Sequence, residues 1–441
     1  MKINQQHKEL AQWAMDFALK NGCQACRISI HLGTESNFDY RNLMLEKLQQ
    51  ASESSMNIEL FVDGRYGSFS TNRIQKKEVE KFIKEGIVAT RYLEPDECRV
   101  LPDISLCFSG VREPDLNLYD NQITEIHPDE KLQIALENAK EIYQTDDRII
   151  SVNARYSDGD SKSYIIQSNG FEGERFSTSF SLSAGVSMKS ESDSRPAANW
   201  WDSALFFNEL KKTGYGKAAY ERCTKKLGQQ KIKSGTYTMI VDYLNSSRLL
   251  NPLLSALYGS ALQQKNSFFL DKIGETVGSS KFTLIDDPHL PKTPGARYFD
   301  YEGVATKKRT IFDKGILRTY FIDAYYSKKM DVPQTISGPS TLILQTGDKD
   351  LSQLILPQKR AILVTGFNGG NQNSSTGDFS YGIEGFLIEN GVATQSISEM
   401  NITGNLIELW KNLVETGNDP RLSSSYRVPS LVFAGVNFSG M

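Results

Sequence analysis

The residues best suited to hold a metal ion form an acidic group between positions 286 and 302. Its members are Asp286, Asp287, His289, Asp300 and Glu302. Carboxylate oxygens of this kind are the ligands that Mg²⁺ and Ca²⁺ prefer. The same residues belong to Asp-Asp-Pro and Asp-Tyr-Glu-Gly sequences, which are also ordinary turn sequences. We favour the turns, and we predict neither a metal site nor a cofactor in this chain.

Nucleophilic side chains are present, but none has recognisable partners to activate it. The chain has four histidines: His7, His31, His127 and His289. A serine nucleophile needs a histidine and an acid beside it, so we interpret Ser374–Thr376 and Ser423–Ser425 as loop segments. Cys23 and Cys26 form a C-x-x-C pair, which suits a redox centre or half a zinc site. Because no second pair exists, we favour two buried thiols at a helix-to-strand junction. We predict no catalytic residue.

The first elements that could position such residues form an N-terminal α/β domain at residues 1–95. Apolar spacing predicts helices at 4–21 and 76–92, and Asp63-Gly64 predicts a hairpin turn between strands. Residues 35–52 are compatible with a helix or with paired strands.

A linker and a middle domain follow. Residues 96–120 contain Pro102 and Pro114 and follow directly on Pro95, and they are predicted to be a linker. Residues 121–230 begin with an amphipathic helix at 129–144. Alternating runs then predict an antiparallel meander, with a hairpin turn at Asn169-Gly170.

The third region, residues 231–441, is predicted to be a C-terminal domain rich in antiparallel strand. Its early part includes a long helix at about 246–264. The stretch 365–391 begins with a Gly-, Asn- and Ser-rich loop and continues with strand alternation as far as Asn390-Gly391, a tight-turn signal. The fold class predicted for the whole chain is α+β.

Composition limits the kinds of partner. The 441 residues carry 50 Lys and Arg against 53 Asp and Glu, a net charge of −3. A protein that binds nucleic acid usually shows a basic excess, so we predict no nucleic-acid binding. No apolar run reaches the roughly 18 residues that span a bilayer, and the N-terminus lacks a signal-peptide core. We therefore expect a cytoplasmic protein without a membrane partner.

Four segments, in order along the chain, resemble one known family. They are Val62–Ser68 (VDGRYGS), Asn266–Glu275 (NSFFLDKIGE), Asp286–Pro288 with Phe299–Val304 (DDP and FDYEGV), and Gly377–Gly385 (GDFSYGIEG). Together they resemble the PmbA/TldD family, whose members are also called modulators of DNA gyrase. The resemblance implies a PmbA/TldD-like fold with N-terminal, middle and C-terminal domains.

The resemblance also raises an expectation that this chain does not meet. The TldD branch carries an H-E-x-x-x-H helix whose histidines bind a metal, with the glutamate as general base, and a cysteine near the C-terminal end. Here the corresponding positions are Asn251, Pro252 and Ala256, and the last cysteine is Cys223. The chain therefore resembles the other branch, PmbA (TldE), which lacks the metal motif and pairs with a TldD-like partner.

The resemblance thus implies a non-catalytic subunit of a cytoplasmic TldD/TldE-type metallopeptidase that degrades or trims unfolded or modified peptides. Two alternatives remain open. The chain could be a homodimeric peptide-binding or scaffold protein, or a hydrolase that uses the acidic group as a non-standard metal site.

A peptide captured by strand addition would need a groove. The candidate lining residues are Asn371, Gly377, Asp378, Phe379 and Ser380, from the loop and hairpin of the 365–391 stretch. The alternative is that this GDFS segment only holds the conformation of the hairpin.

Overall fold

A computed structural model describes residues 3–191 and 194–440. Its first half is built on one antiparallel sheet of six strands. The strands are β1 (Ala25–Arg41), β2 (Met44–Val62), β3 (Arg65–Thr71), β4 (Ile149–Gln167), β5 (Glu172–Met188) and β6 (Ala197–Ala204). They lie in the order β3-β2-β1-β4-β5-β6. Strands β1 and β4 contribute buried residues to two separate cores.

Four helices cover one face of this sheet. They are α1 (Gln5–Lys20), α2 (Lys76–Thr90), α3 (Pro128–Lys140) and α4 (Tyr215–Lys225), and short 3₁₀ turns lie at Ile104–Leu106, Asn121–Thr124 and Phe207–Glu209. Ile28 and Ile30 of β1 pack into the core of α1 and α2, and Phe38 packs into the core of α3 and α4. Because alternate residues of a strand share a face, both helix pairs lie on the same side.

This sheet joins two regions that the sequence assigns to different domains. Strands β1 to β3 come from residues 1–95 and strands β4 to β6 from residues 121–230, yet β1 pairs with β4 along fifteen residues, from Arg27↔Gln167 to Arg41↔Asn153. The division into an N-terminal and a middle domain stays a prediction. The two regions share one hydrogen-bonded sheet, however, and residues 96–120 connect its halves.

The described part of the second half, up to residue 440, contains twelve strands and five helices. The strands are β7 (Gly235–Val241), β8 (Leu284–Asp286), β9 (Arg309–Asp313), β10 (Ile316–Leu317), β11 (Leu342–Leu344), β12 (Arg360–Phe367), β13 (Asn371–Gln372), β14 (Asp378–Glu389), β15 (Val392–Asn405), β16 (Leu413–Thr416), β17 (Tyr426–Arg427) and β18 (Leu431–Ser439). The helices are α5 (Ser247–Ser255), α6 (Gly259–Gln263), α7 (Ala324–Met330), α8 (Leu351–Ile355) and α9 (Leu406–Lys411).

Five of these strands close into a ring. Strand β12 pairs with β7 and with β14, β7 pairs with β18, β18 with β15, and β15 with β14. Closure removes the exposed edges that a flat sheet would present. Strand β13 continues the line of β12 along β14, and a smaller sheet has the order β10-β9-β8-β11-β17.

The large core of this half lies between the ring, the smaller sheet and helices α5 and α9. Leu249, Leu250 and Leu253 of α5 are buried in it beside Trp410 of α9. Helix α8 covers a separate small core on the other side of β12 through Leu354. The fold is α+β and strand-rich, which confirms the predicted class.

Turn predictions from short sequences are confirmed. Asp63 and Gly64 have φ of 50° and 71°, and Asn390 and Gly391 have φ of 50° and 77°, as a two-residue hairpin turn requires. Gly170 follows β4 with φ of 100°. The ambiguous residues 35–52 are paired strands, the end of β1 and the start of β2, joined by a turn at Asn42-Leu43.

The predicted long helix at 246–264 is wrong. The chain leaves the helix after Ser255 and restarts at Gly259, so α5 and α6 are separate. Tyr258 forms a bridge with Phe321, and the N–H of Phe321 donates to the carbonyl of Leu257 at 2.9 Å. This tertiary pairing overrides local helix propensity.

Among the helices of residues 3–191 and 194–440, none combines the length and the apolar character needed to cross a membrane.

Candidate functional site

The five predicted groove residues lie on one short hairpin, and they fall into two groups. Gly377, Asp378 and Phe379 hold the hairpin together. Phe379 is buried and stacked on Tyr381, with ring centroids 5.1 Å apart. Gly377 has φ of 82°, a conformation that glycine adopts without strain.

Asp378 is exposed and fixes the turn through its carboxylate. It accepts hydrogen bonds from Asn405 Nδ2 at 3.0 Å and Thr376 Oγ1 at 2.7 Å. The amide of Asn405 and the hydroxyl of Thr376 lower the pKa of this carboxyl group. Three of the five predicted residues therefore make contacts within the hairpin, in keeping with the alternative interpretation, and their assignment to a groove stays a prediction.

Asn371 and Ser380 form the second group. They are opposite each other on β13 and β14, and both are exposed. Their side chains are free to contact a bound molecule, and their assignment to a groove stays a prediction.

Strand β13 offers an unpaired backbone edge. It ends the order of its sheet, and no strand of the described chain pairs with its outer side. Asn373 donates its N–H to the carbonyl of Asp378 at 2.8 Å. Residues of an antiparallel strand alternate between facing the partner and facing away, so the N–H and C=O of Gln372 point outward. Sequence patterns did not identify Gln372, because the outward direction of its N–H and C=O depends on how β13 is paired with β14.

Helix α5 begins beside this edge. Asn245, just before the helix, donates from Nδ2 to the carbonyl of Thr365 at 2.8 Å. Arg248 places its guanidinium 5.6 Å from the centre of the Tyr381 ring, and the Tyr381 hydroxyl donates to Oε1 of Gln372 at 2.6 Å. The exposed side of α5 and the free edge of β13 therefore belong to one surface, which we call the edge surface (residues 366–372 with Arg248 and Asn251).

The positions that match the metal motif of the TldD branch lie on and just after α5. Asn251 is exposed, whereas Pro252 and Ala256 are buried. Ala256 follows the last helical residue and donates its N–H to the carbonyl of Pro252 at 3.2 Å. Helix α5 reads SRLLNPLLS, so it contains no imidazole, thiolate or carboxylate. These residues do not fit a zinc ion, which needs such ligands.

The acidic group does not converge on a metal position either. Within residues 3–191 and 194–440, no cluster of three or more His, Cys, Asp or Glu side chains could hold a metal ion. Asp300 accepts from three backbone N–H groups, those of Glu302, Val304 and Ser337, at 2.9 to 3.0 Å. Asp286 accepts from the N–H of Ser340 at 2.8 Å. These contacts favour the turn interpretation.

Two of the histidines and two of the candidate serines have structural partners. His7 completes a capping box with Asn4 at the start of α1, and His289 Nε2 lies 3.1 Å from the Thr306 hydroxyl. Ser375 donates to Asn266 at 2.8 Å, and Ser423 donates to Asp202 at 2.6 Å. No described histidine forms a hydrogen bond with any of these serines.

The C-x-x-C pair is buried at the junction of α1 and β1. Burial raises the pKa of Cys23 to about 11 and that of Cys26 to about 12. Both thiols are therefore protonated near neutral pH, and a reactive thiolate is disfavoured.

Comparison with known proteins gives matches over nearly the whole chain. Two family models match: the PmbA/TldA metallopeptidase central domain at residues 121–227 and the PmbA/TldA metallopeptidase C-terminal domain at residues 234–440. The chain is 26% identical to the metalloprotease PmbA homolog of Haemophilus influenzae, covering 99% of this chain and 98% of that protein. It is also 26% identical to metalloprotease PmbA of Escherichia coli O157:H7, covering 90% and 88%.

Two solved structures show the same fold. A Bacteroides thetaiotaomicron protein that carries the name of a DNA gyrase modulator is 58% identical, covers 100% of both chains and superposes with a TM-score of 0.98. TldE from Thermococcus kodakarensis is 19% identical and superposes with a TM-score of 0.86, covering 98% of this chain and 100% of that one. At that identity, the second likeness concerns the fold alone.

Proposed function

The chain belongs to the PmbA/TldD metallopeptidase family, and we propose that it is the PmbA/TldE-like, non-catalytic subunit of a cytoplasmic TldD/TldE-type peptidase complex. Its substrates are unfolded or modified peptides, which the complex degrades or trims. The observation that carries this proposal is the chemistry of the motif positions on and just after α5, which offer an amide, a proline ring and a methyl group. None of these can bind zinc or activate water.

The names of the relatives fit this division of labour. The chain matches metalloproteases of the PmbA branch, and it also matches a metalloprotease TldD homolog of Buchnera aphidicola at 24% identity over 63% of its length. Because the PmbA and TldD branches are related to the same chain, we infer that one member of each branch forms a heterodimer. In it, the TldD-like partner supplies the metal and this chain supplies binding surface.

The edge surface gives this subunit a way to hold a peptide. An extended peptide can add to β13 through the outward N–H and C=O of Gln372, and such main-chain bonding tolerates many sequences. Arg248 and Asn251 are the exposed α5 side chains on the same surface. A peptide bound there would lie along α5, the element that carries the metal motif in the TldD branch.

Reconstitution tests the proposal. We expect this chain, co-expressed with a TldD-like protein that carries H-E-x-x-x-H, to co-purify with it and to cleave fluorescent casein in an EDTA-sensitive reaction. Purified alone, this chain should show no cleavage. EDTA-sensitive cleavage by this chain alone would refute the non-catalytic assignment. Self-association without partner binding would favour the homodimeric binding protein instead.

Substitution of Gln372 by proline should weaken peptide binding about five-fold. Proline removes the outward N–H but no bond to β14, and proline is tolerated on a strand edge that faces solvent. One main-chain hydrogen bond contributes roughly 1 kcal/mol, and about 1.4 kcal/mol corresponds to ten-fold in affinity. The measurement is fluorescence anisotropy with a labelled, unfolded casein fragment.

The matched control is Gln372→Ala, which keeps the N–H. Both variants lose the hydrogen bond to the Tyr381 hydroxyl, so that loss cancels in the comparison. Equal affinity of the proline and alanine variants would show that peptides do not add to this edge.

A further inference from the structure

A cavity of about 950 Å³ lies between the second face of the six-stranded sheet and the C-terminal half of the chain. Strands β1, β4 and β5 supply its floor, and residues 293–298 together with 112–119 supply its other walls. Cavities of roughly this volume hold small-molecule ligands in many proteins. It shares no lining residue with the edge surface.

Register places a polar row across the floor. His31 pairs with Ser163 on β4, and Ser163 pairs with Arg175 on β5. Ser161 and Ser177 form the next pair two residues along. Because residues two apart share a face, these five side chains project into the same space.

Arg175 is the distinctive member of this row. It donates from Nη2 to the carbonyl of Phe299, and its guanidinium lies 4.4 Å from the centre of the Phe299 ring. Its Nε is buried without a hydrogen-bond partner. Burial and the nearby charge of Arg297 lower the pKa of Arg175 to about 10, so the guanidinium is still charged at neutral pH.

No described carboxylate forms an ion pair with Arg175 or with Arg297. Asp300 lies near enough to act on Arg175 through its charge, but its oxygens are occupied by three backbone N–H groups. The two acidic residues of the cavity wall are also engaged: Glu174 pairs with Lys8, and Asp115 accepts from the N–H of Asn117 at 3.0 Å.

Arg297 is held by neutral acceptors. Its Nε donates to the Ser340 hydroxyl at 3.0 Å, and its Nη2 donates to the carbonyls of Gly338 and Pro339 at 2.8 and 3.0 Å. The cavity therefore carries two partly buried guanidinium groups that form no ion pair with a described carboxylate. Such a group forms strong charge-assisted hydrogen bonds with an anion, so the cavity favours an anionic ligand.

We propose that this cavity is a binding site for a small molecule that carries an oxyanion, either a carboxylate or a phosphate. Arg175 is its anchor, because a guanidinium forms charge-assisted hydrogen bonds with such groups. The hydroxyls of Ser161 and Ser177 are the additional donors. The site is independent of the peptidase role proposed above.

Isothermal titration calorimetry on the full chain tests this proposal with two probes, sodium phosphate and sodium succinate, against sodium chloride at matched ionic strength. We expect saturable binding of at least one oxyanion by the unmodified chain and about ten-fold or more weaker binding by Arg175→Met, since a hydrogen bond to a charged group is worth roughly 1.5–3 kcal/mol. Arg318→Met is the matched control, because Arg318 is exposed and pairs with Asp313. It should bind like the unmodified chain.

A second variant, Ser161→Met, places a larger side chain in the cavity and leaves its charged residues in place. It tests the proposal even if Arg175→Met does not fold. It should also weaken binding about ten-fold. Binding of phosphate alone identifies a phosphorylated ligand, binding of succinate alone identifies a carboxylate ligand, and binding of both identifies a general oxyanion site. Absence of saturable binding by either probe, or undiminished binding by Ser161→Met, would overturn the proposal.

Discussion

Substitution of Asp300 by alanine is expected to lower the free energy of unfolding by about 3 kcal/mol or more. Asp300 is fully buried and accepts the N–H groups of Glu302, Val304 and Ser337. Alanine leaves three buried donors without an acceptor, and each unsatisfied group costs roughly 1–3 kcal/mol. The measurement is urea unfolding followed by intrinsic tryptophan fluorescence.

The control is Asp313→Asn. Asp313 is an exposed carboxylate whose partner is Arg318, and exposed ion pairs contribute about 0–1 kcal/mol.

Adding EDTA to the unmodified chain is a second, separate test. If the acidic group at 286–302 held a structural cation, EDTA would lower the melting temperature of the unmodified chain. We expect no change, because the Asp300 oxygens bind backbone N–H groups.

Local sequence was sufficient for the turns. Asp63-Gly64 and Asn390-Gly391 have the positive φ that their residue types predict. Two residues decide such a turn, since their own steric preferences select the backbone conformation. Fold class followed from alternation of apolar residues, which is also a local property.

The pairing between distant strands could not be predicted from local sequence. The join of β1 to β4 brings together residues more than a hundred positions apart, and alternation says which face of a strand is buried but not which strand lies beside it. The break between α5 and α6 has the same origin, because Tyr258 pairs with Phe321. Local propensity there favours a continuous helix, and a tertiary contact interrupts it.

The candidate sites show the same limit on what local sequence can predict. Sequence identified what α5 lacks, since side-chain types can be read directly at Asn251 and Ala256. It did not identify Gln372 or Arg175. The outward direction of the Gln372 N–H depends on pairing register, and the absence of an ion-pair partner for Arg175 among the described residues depends on what surrounds it after folding. Both are properties of the assembled sheets.

Glu302 should make stability depend on pH in an unusual direction. Burial, followed by the charge of Asp300, raises its pKa from 4.5 to about 7, while Arg27 and the N–H of Ala324 act in the opposite sense. Between these values the folded chain binds more protons than the unfolded chain. Stability contributed by this group is therefore present below about pH 4.5 and is lost as the pH rises to about 7.

Glu302→Gln removes this titration and keeps an acceptor for the N–H of Ala324, which donates to Oε2 at 3.0 Å. The unfolding free energy of the variant, relative to the unmodified chain, should rise between pH 4.5 and 7 by up to about 3 kcal/mol, at about 1.4 kcal/mol per pKa unit. Asp286, whose pKa burial raises to about 6, is common to both chains and cancels. Urea unfolding at several pH values gives the difference.

The control is Glu275→Gln, at an exposed site paired with Lys272. Its unfolding free energy, plotted against pH, should run parallel to that of the unmodified chain. A parallel curve for Glu302→Gln would mean that Glu302 titrates alike in the folded and unfolded chains, so that the buried loop holds it ionised.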